Sequence, residues 1–170
     1  MNPNEFCKVI SSDTPDWSRE SIRCFWDPGR KLLRSIRRFQ SCQTRKGIFW
    51  KIAQRYWVVV HWFWSLMTQC EIHLNCQIDG GLLLPHPTGI IIHPDSRIGA
   101  NCLIFHQVTL AGKVTLDGHV DIGTGAKLKG PITVGNHVQI GFNAVVTKNI
   151  PDNCVVVGIP ARIVSVKSDE

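Results

Sequence analysis

The sequence has no paired cysteine motif, no long apolar run and no export signal at its start. Its seven cysteines are scattered, without a CxxC pair, which argues against a disulfide framework or a zinc site. The longest apolar stretch, 57–67, falls well short of the about 20 residues that span a bilayer. No charged region followed by an apolar one opens the chain. We therefore expect reduced thiols and a cytoplasmic location.

Acidic residues are scarce in the first part of the chain. The net charge is +6, and residues 1–70 hold twelve Lys or Arg against five Asp or Glu, while residues 71–170 hold seven against eight. No nucleic-acid recognition motif accompanies this basicity, so no nucleic-acid partner is expected. The asymmetry predicts a basic, Trp-rich helical segment (1–69), a second domain (70–164) and a short tail (165–170).

Two helices are predicted in the basic segment, after a polar loop or frayed arm at 1–20. Apolar residues at three- and four-residue intervals, with Arg and Lys opposite, predict an amphipathic helix at 29–40. A second helix, at 48–68, carries four tryptophans. We expect it to pack against the rest of the protein and against neighbouring subunits. Peripheral contact with a membrane is the alternative.

A six-residue repeat fills the second domain. From Ile98 every sixth residue is a branched aliphatic, the positions being Ile98, Ile104, Leu110, Leu116, Ile122, Leu128, Val134, Ile140 and Val146. This period fits neither a helix nor a simple strand, but it fits a solenoid whose coils have three flat sides. The pattern resembles that of the hexapeptide-repeat acyltransferases, which implies a left-handed parallel β-helix preceded by a short α-helical segment, and so a mainly β protein.

The repeat contains a two-residue slip. An earlier register (Ile72, Ile78, Leu84, Ile90) gives way to the longer one through a two-residue shift at 87–92. Residues in neighbouring coils are normally eighteen apart, but across the slip they are twenty apart. This predicts that His86 is level with His106 and His73 with His93, and that His119 stacks on His137. Such irregularities often lie beside functional sites.

The segment around the slip, CEIHLNCQIDGGLLLPHPTGIII (70–92), resembles the active-site segment of serine acetyltransferases. The resemblance covers roughly 55–164, including a closing segment that ends in Gly-Ile-Pro-Ala-Arg (158–162). It implies acetyl-CoA-dependent O-acetyl transfer, with His86 catalytic and Glu71 as its acidic partner. His73 corresponds to the neighbouring histidine of the family's first stretch, and His106, being level with His86, is a further candidate for substrate binding.

Coenzyme A is the implied co-substrate, and no metal is expected. Small residues would let the pantetheine arm lie between coils, and cations would hold the phosphates. The expected cofactor-binding positions are Gly123, Ala126, Gly141, Ala144, Lys148, Gly158, Pro160, Ala161 and Arg162.

The chain departs from the family pattern at three places. Pro85 stands where the family has an Asp that helps to hold the amino acid, the long loop after Gly112 is absent, and the helical part is about half the usual length. We therefore expect the acceptor to be a sugar or a glycan intermediate of surface polysaccharide biosynthesis, with L-serine as the alternative.

The chemistry can be argued from the residues. A hydroxyl that attacks a thioester needs a base, and imidazole serves near neutral pH; a carboxylate such as Glu71 would fix its tautomer. Two other classes stay open: a metal enzyme of the γ-carbonic anhydrase type and a structural β-helix trimer. The resemblance implies homotrimers. The sequence leaves open whether the Trp-rich helix joins trimers into hexamers or contacts a membrane or a glycosyltransferase partner.

Overall fold

The computed structural model of the protein describes residues 10–166. The beginning of the predicted arm (1–9) and most of the predicted tail (167–170) lie outside the described residues. A short 3-10 helix, Trp17–Glu20, precedes two α-helices, α1 (Pro28–Gln43) and α2 (Ile48–Thr68). Proline at the first position of α1 has the φ angle that a helix needs, so α1 starts one residue before the predicted 29. The bounds of α2 agree with the predicted 48–68.

Fourteen short strands follow within the described residues, most of them two or three residues long. They are β1 (Glu71–Ile72), β2 (Gln77–Ile78), β3 (Ile91–Ile92), β4 (Arg97–Ile98), β5 (Leu103–Ile104), β6 (Thr109–Ala111), β7 (Val114–Leu116), β8 (Asp121–Ile122), β9 (Lys127–Lys129), β10 (Ile132–Val134), β11 (Gln139–Ile140), β12 (Val145–Val146), β13 (Cys154–Val157) and β14 (Arg162–Val166).

These strands form three flat faces that wind around one axis. Face A contains β1, β3, β6, β9 and β12; face B contains β2, β4, β7 and β10; face C contains β5, β8, β11, β13 and β14. All pairings are parallel except that of β13 with β14, which is antiparallel and ends the solenoid. The predicted left-handed parallel β-helix with a short helical segment before it is confirmed.

The six-residue repeat supplies the core. Each of the nine aliphatics from Ile98 to Val146 is at most 3% exposed, and they form one hydrophobic cluster. Leu32, Leu33 and Ile36 of α1 belong to the same cluster, at most 1% exposed. Their spacing places one helix stripe against the first coils. The helical segment is thus attached to the solenoid through α1.

The predicted slip is present in the strand register. Ile72 pairs with Ile92 and Leu83 with Leu103, twenty residues apart, whereas Ile92 pairs with Leu110, eighteen apart. The two additional residues are accommodated in a turn that includes Gly89, whose φ of +69° favours glycine. This turn is the wide corner of the first complete coil.

The N-terminal arm differs from its prediction over its described part. Asn101 sits in a corner between faces B and C, and its side-chain amide donates to the carbonyl oxygens of Ser11 and Thr14, both at 2.8 Å. Its side-chain oxygen accepts from the backbone N–H of Asp16 at 2.7 Å. Because all these contacts join residues more than 80 positions apart, sequence periodicity does not reveal them. Residues 11–16 are therefore fixed to the solenoid rather than frayed.

Glu20 completes this attachment. Its carboxylate accepts from the backbone N–H groups of Gly81 and Leu82 (2.9 and 3.2 Å) and from the Arg37 guanidinium of α1 (2.9 Å). A single carboxylate thus joins the arm, α1 and the first coil. Along residues 10–166, no helix combines the length and the apolar character that crossing a bilayer requires.

Candidate active site

Two histidines meet at the slip, where face C turns into face A. We call the stack of turns at this position the C–A edge; it consists of residues 85–90, 105–108, 123–126 and 141–144, and it is capped by the turn between β13 and β14 (158–161), which hydrogen-bonds to Val145. The ring centroids of His86 and His106 lie 6.2 Å apart, with an interplanar angle of 82°. The stacking of these two residues, predicted from the twenty-residue offset, is confirmed.

The two imidazoles differ in environment. His86 is exposed between two prolines, whereas His106 is half-buried. The Nδ1 atom of His106 is buried and has no hydrogen-bond partner among the described residues. Buried polar atoms are rarely left in this state, and one that is merits an explanation. The pair therefore offers one accessible imidazole, His86, beside a ring whose Nδ1 is buried and without a partner among the described residues.

Backbone contacts fix the turn that carries His86. The N–H of Gly89 donates to the Gln69 carbonyl at 3.0 Å, and the N–H of Gln107 donates to the Thr88 carbonyl at 2.9 Å. The first bond ties the turn to the end of α2, and the second ties it to the next coil. The position of His86 is thus set from both sides of the slip.

Glu71 lies at the start of face A, next to Ile90, the last residue of this turn. Its N–H donates to the Ile90 carbonyl at 2.8 Å, and its side chain is exposed. Among the described residues, no hydrogen bond or ion pair joins its carboxylate to His86. The two residues flank one turn without touching, so the orienting role of Glu71 stays a prediction.

His73 lies at the other end of face A. It is level with His93, as predicted, and the Nδ1 atoms of both accept from the backbone N–H two residues ahead at 3.2 Å. Glu71 and His73 line a cavity of about 560 Å³ beneath the helices, together with His61 of α2. The predicted site residues therefore fall into two groups, His86 with His106 and Glu71 with His73.

The glycines and alanines predicted to contact coenzyme A lie on the C–A edge, above the histidine pair. A Cβ at Gly123 would lie 2.9 Å from the Ile140 carbonyl oxygen, and one at Gly141 would lie 2.6 Å from a Val157 methyl carbon. These glycines are thus already required by coil stacking. Ala126 and Ala144 are fully buried, so these two predicted positions present no accessible surface to a ligand in this structure.

The closing segment continues the edge. Gly158 has a φ of +100°. Its carbonyl oxygen accepts a hydrogen bond from the backbone N–H of Val145, and the carbonyl oxygen of Val145 accepts one from the N–H of Ala161. Pro160 and Arg162 are exposed here. Lys148 is exposed as well but follows β12, so it lies beyond face A and away from the C–A edge.

Sequence reasoning missed one cation beside the histidine pair. Lys127, on the outside of face A, donates from Nζ to the carbonyl oxygen of Gln107, the residue after His106. Its position immediately before the inward Leu128 marks it as outward-facing. Nothing in the linear sequence indicates which residue of the neighbouring coil it reaches.

Burial makes the core thiols poor nucleophiles. It raises the pKa of Cys70 and of Cys102 to about 12 and also raises the pKa of Cys76. A thiol with so high a pKa carries almost no thiolate at neutral pH. The arrangement therefore favours transfer assisted by imidazole over an acyl-enzyme on one of these cysteines.

A site of the γ-carbonic anhydrase type would need three histidines around one point. The structure instead shows separate pairs, including His119 with His137, whose Nδ1 atoms lie 2.8 Å apart. In the described part of the chain, no three His, Cys, Asp or Glu side chains are grouped so that they could hold a metal ion. This alternative receives no support from the geometry.

Several known proteins that are similar to this chain are serine acetyltransferases. No protein-family model matches the chain. A serine acetyltransferase from Synechococcus elongatus is 33% identical over 147 residues, which is 80% of this chain and 60% of the relative. Another from Mycobacterium tuberculosis is 33% identical over 129 residues, covering 62% of this chain and 56% of the relative. The chain thus spans only about 60% of the length of these relatives.

A solved structure agrees in fold. The serine acetyltransferase of Brucella abortus in complex with coenzyme A has a TM-score of 0.73 and 27% sequence identity. The similarity covers 85% of this chain and 59% of that one. In sequence and in fold, this chain is a serine acetyltransferase-like protein of the hexapeptide-repeat type.

Proposed function

We propose that the chain is an acetyl-CoA-dependent O-acetyltransferase. The observation that carries this proposal is the His86–His106 pair, which lies at the two-residue insertion in the repeat, on the edge where the glycine- and alanine-rich turns stack. The similarity to serine acetyltransferases, one of them solved with coenzyme A, supports acetyl-CoA as the acyl donor. No metal is needed for this chemistry.

In the proposed reaction, the imidazole of His86 takes the proton of the acceptor hydroxyl as its oxygen attacks the thioester carbonyl carbon. The carbon–oxygen bond forms, the carbon–sulfur bond breaks, and the imidazolium returns its proton to the coenzyme A thiolate. The products are the acetyl ester and free coenzyme A. Glu71 would stabilise the imidazolium after a side-chain rotation towards His86.

His106 would bind the acceptor, and the substrate-binding role of His73, which belongs to the other group of site residues, stays a prediction. The position of His106 beside His86, with ring centroids 6.2 Å apart, supports its binding role. Coenzyme A would lie along the C–A edge, with its phosphates near Arg162. Lys127 is a better placed second cation than the predicted Lys148, since it already contacts the turn that carries His106.

L-serine is the better supported of the two acceptors. The sequence favoured a sugar or glycan of surface polysaccharide biosynthesis, but the relatives are named serine acetyltransferases. The sugar remains the second candidate because Pro85, next to His86, provides no carboxylate.

We also propose that the chain forms homotrimers, in which an adjacent β-helix completes each site. The proposed location of the trimer is the cytoplasm. The outward sides of the three faces support trimer formation, since they expose residues such as Ile91 (43% exposed) that a neighbouring solenoid would cover. Light scattering would give three times the 19.1 kDa chain mass for a trimer. Hexamers would give six times that mass.

A thiol-release assay with acetyl-CoA tests the activity and the acceptor together. The panel contains L-serine, free sugars, nucleotide sugars and a lipid-linked glycan. We expect release of coenzyme A with L-serine, and a product mass increased by one acetyl group. Release only with sugars would move the assignment to the second candidate. Release with no member of the panel, by a protein that also fails to bind acetyl-CoA in calorimetry, would refute the proposal.

A further inference from the structure

Helix α2 presents two different faces. Its inner face packs against α1 and is pinned by His61, whose Nδ1 bonds to the Ser35 hydroxyl at 3.1 Å and whose Nε2 bonds to the Ser65 hydroxyl at 3.3 Å. Burial lowers the pKa of His61, so the ring is neutral at physiological pH and serves as an internal connector. The inner face is therefore held within the chain, although Thr68 is the only buried residue of α2.

The outer face is apolar and uncovered. We call it the outer stripe; its residues are Ile48, Ile52, Tyr56, Val59, Phe63 and Leu66. Each is at least 46% exposed, and their three- and four-residue spacing places them on one side of the helix over about 27 Å. A contiguous exposed patch of this kind marks a surface that contacts something else.

The two charged side chains of α2, Lys51 and Arg55, are both cations. Residues 28–70 contain nine Lys or Arg and no Asp or Glu. Lys51 and Arg55 flank the stripe on the exposed side of α2, and no ion pair among the described residues engages either of them. The complementary surface must therefore be both apolar and negatively charged.

A second copy of the same hairpin lacks the required charge. Two outer stripes packed together would bring like-charged helices into contact, which opposes association. An anionic bilayer has both properties: a helix with apolar and basic residues lies in its surface, with the cations against phosphate headgroups. Trp62, 64% exposed beside the stripe, has the amphipathic ring that favours this depth.

We propose that the outer stripe of α2 docks the protein on the surface of a membrane that contains anionic lipid. The helix lies in the plane of the membrane, with the outer stripe at the boundary of the acyl chains and Lys51 and Arg55 among the headgroups. Since the stripe lies on α2 and the histidine pair on the C–A edge, this inference is independent of the proposed acetyl transfer.

Vesicle flotation with the full-length protein tests the proposal. One set of vesicles contains phosphatidylcholine alone, and the other also contains phosphatidylglycerol. We expect flotation with the second set, and weaker binding as salt rises. Val59→Glu should abolish it, while Val166→Glu, which alters an equally exposed valine on β14, should not (63% and 66% exposed). Lys51→Ala should weaken binding about fivefold, which corresponds to about 1 kcal/mol per basic residue.

Several results would overturn the proposal. The first is a correctly folded wild-type protein that floats with neither set. The second is equal flotation of the two valine variants, which would place the contact elsewhere on the molecule. The third is a wild-type protein that binds no vesicles and has a larger mass in solution than the Val59→Glu variant. A second copy of the chain would then cover the stripe. Circular dichroism of each variant verifies the fold.

Discussion

Replacing His86 with asparagine tests the proposed chemistry at its centre. The side chain is exposed, and no described residue hydrogen-bonds to it, so the free energy of unfolding should change by less than about 0.5 kcal/mol. Loss of a general base lowers the rate by about 10²–10⁴-fold, equivalent to about 2.7–5.5 kcal/mol of transition-state stabilisation. The thiol-release assay at saturating acetyl-CoA measures this, and calorimetry should show unchanged coenzyme A affinity.

The matched control is His93→Asn. His93 is also an exposed histidine in a turn of the β-helix, but it lies at the other end of face A, so its variant should keep activity within about twofold. Near-normal turnover by His86→Asn with a large loss in His106→Asn would transfer the role of base to His106. Near-normal turnover in both variants would refute the argument that the slip marks the site.

Three further predictions concern stability and reactivity. Leu110→Ala should lower the free energy of unfolding by about 2–5 kcal/mol in chemical denaturation, because Leu110 is fully buried in the repeat core. Folding lowers the pKa of His61, so the unfolded state binds its proton more readily; stability should fall as the pH drops below about 6.5, and His61→Gln should flatten this dependence in thermal unfolding. Cys70 and Cys102, with pKa values of about 12, should resist alkylation at pH 7.5 until the protein is denatured, as peptide mass mapping would show, while exposed Cys24 reacts.

The solenoid could be predicted from the sequence because its rule is local. An aliphatic at every sixth position needs only one inward side chain per flat side, so Ile98 and Leu110 are buried as the repeat predicts. The slip could also be predicted from the sequence. A two-residue shift in the repeat increases the offset between neighbouring coils by two residues, from eighteen to twenty. The alignment of His86 with His106 follows from that arithmetic alone.

The contacts outside the repeat could not be predicted in this way. The attachment of Ser11 and Thr14 to Asn101 depends on one polar side chain in a corner, about ninety positions away. The separation of Glu71 from His86 depends on side-chain direction at a turn, which a six-residue period does not specify. The exposure of the outer stripe depends on which side of α2 meets α1, and both sides of this helix are rich in apolar residues.

The wide corner at Gly89 has a consequence for the number of sites. A solenoid has approximate translational symmetry along its axis, so any side-chain arrangement compatible with one coil can in principle recur in the next. A two-residue insertion acts like a dislocation in a crystal: it raises the offset between coils to twenty residues at one level. The offset is eighteen residues in the coils that follow and sixteen at the last coil. The levels of the C–A edge are therefore not equivalent, and an arrangement that depends on the dislocation occurs once in each chain.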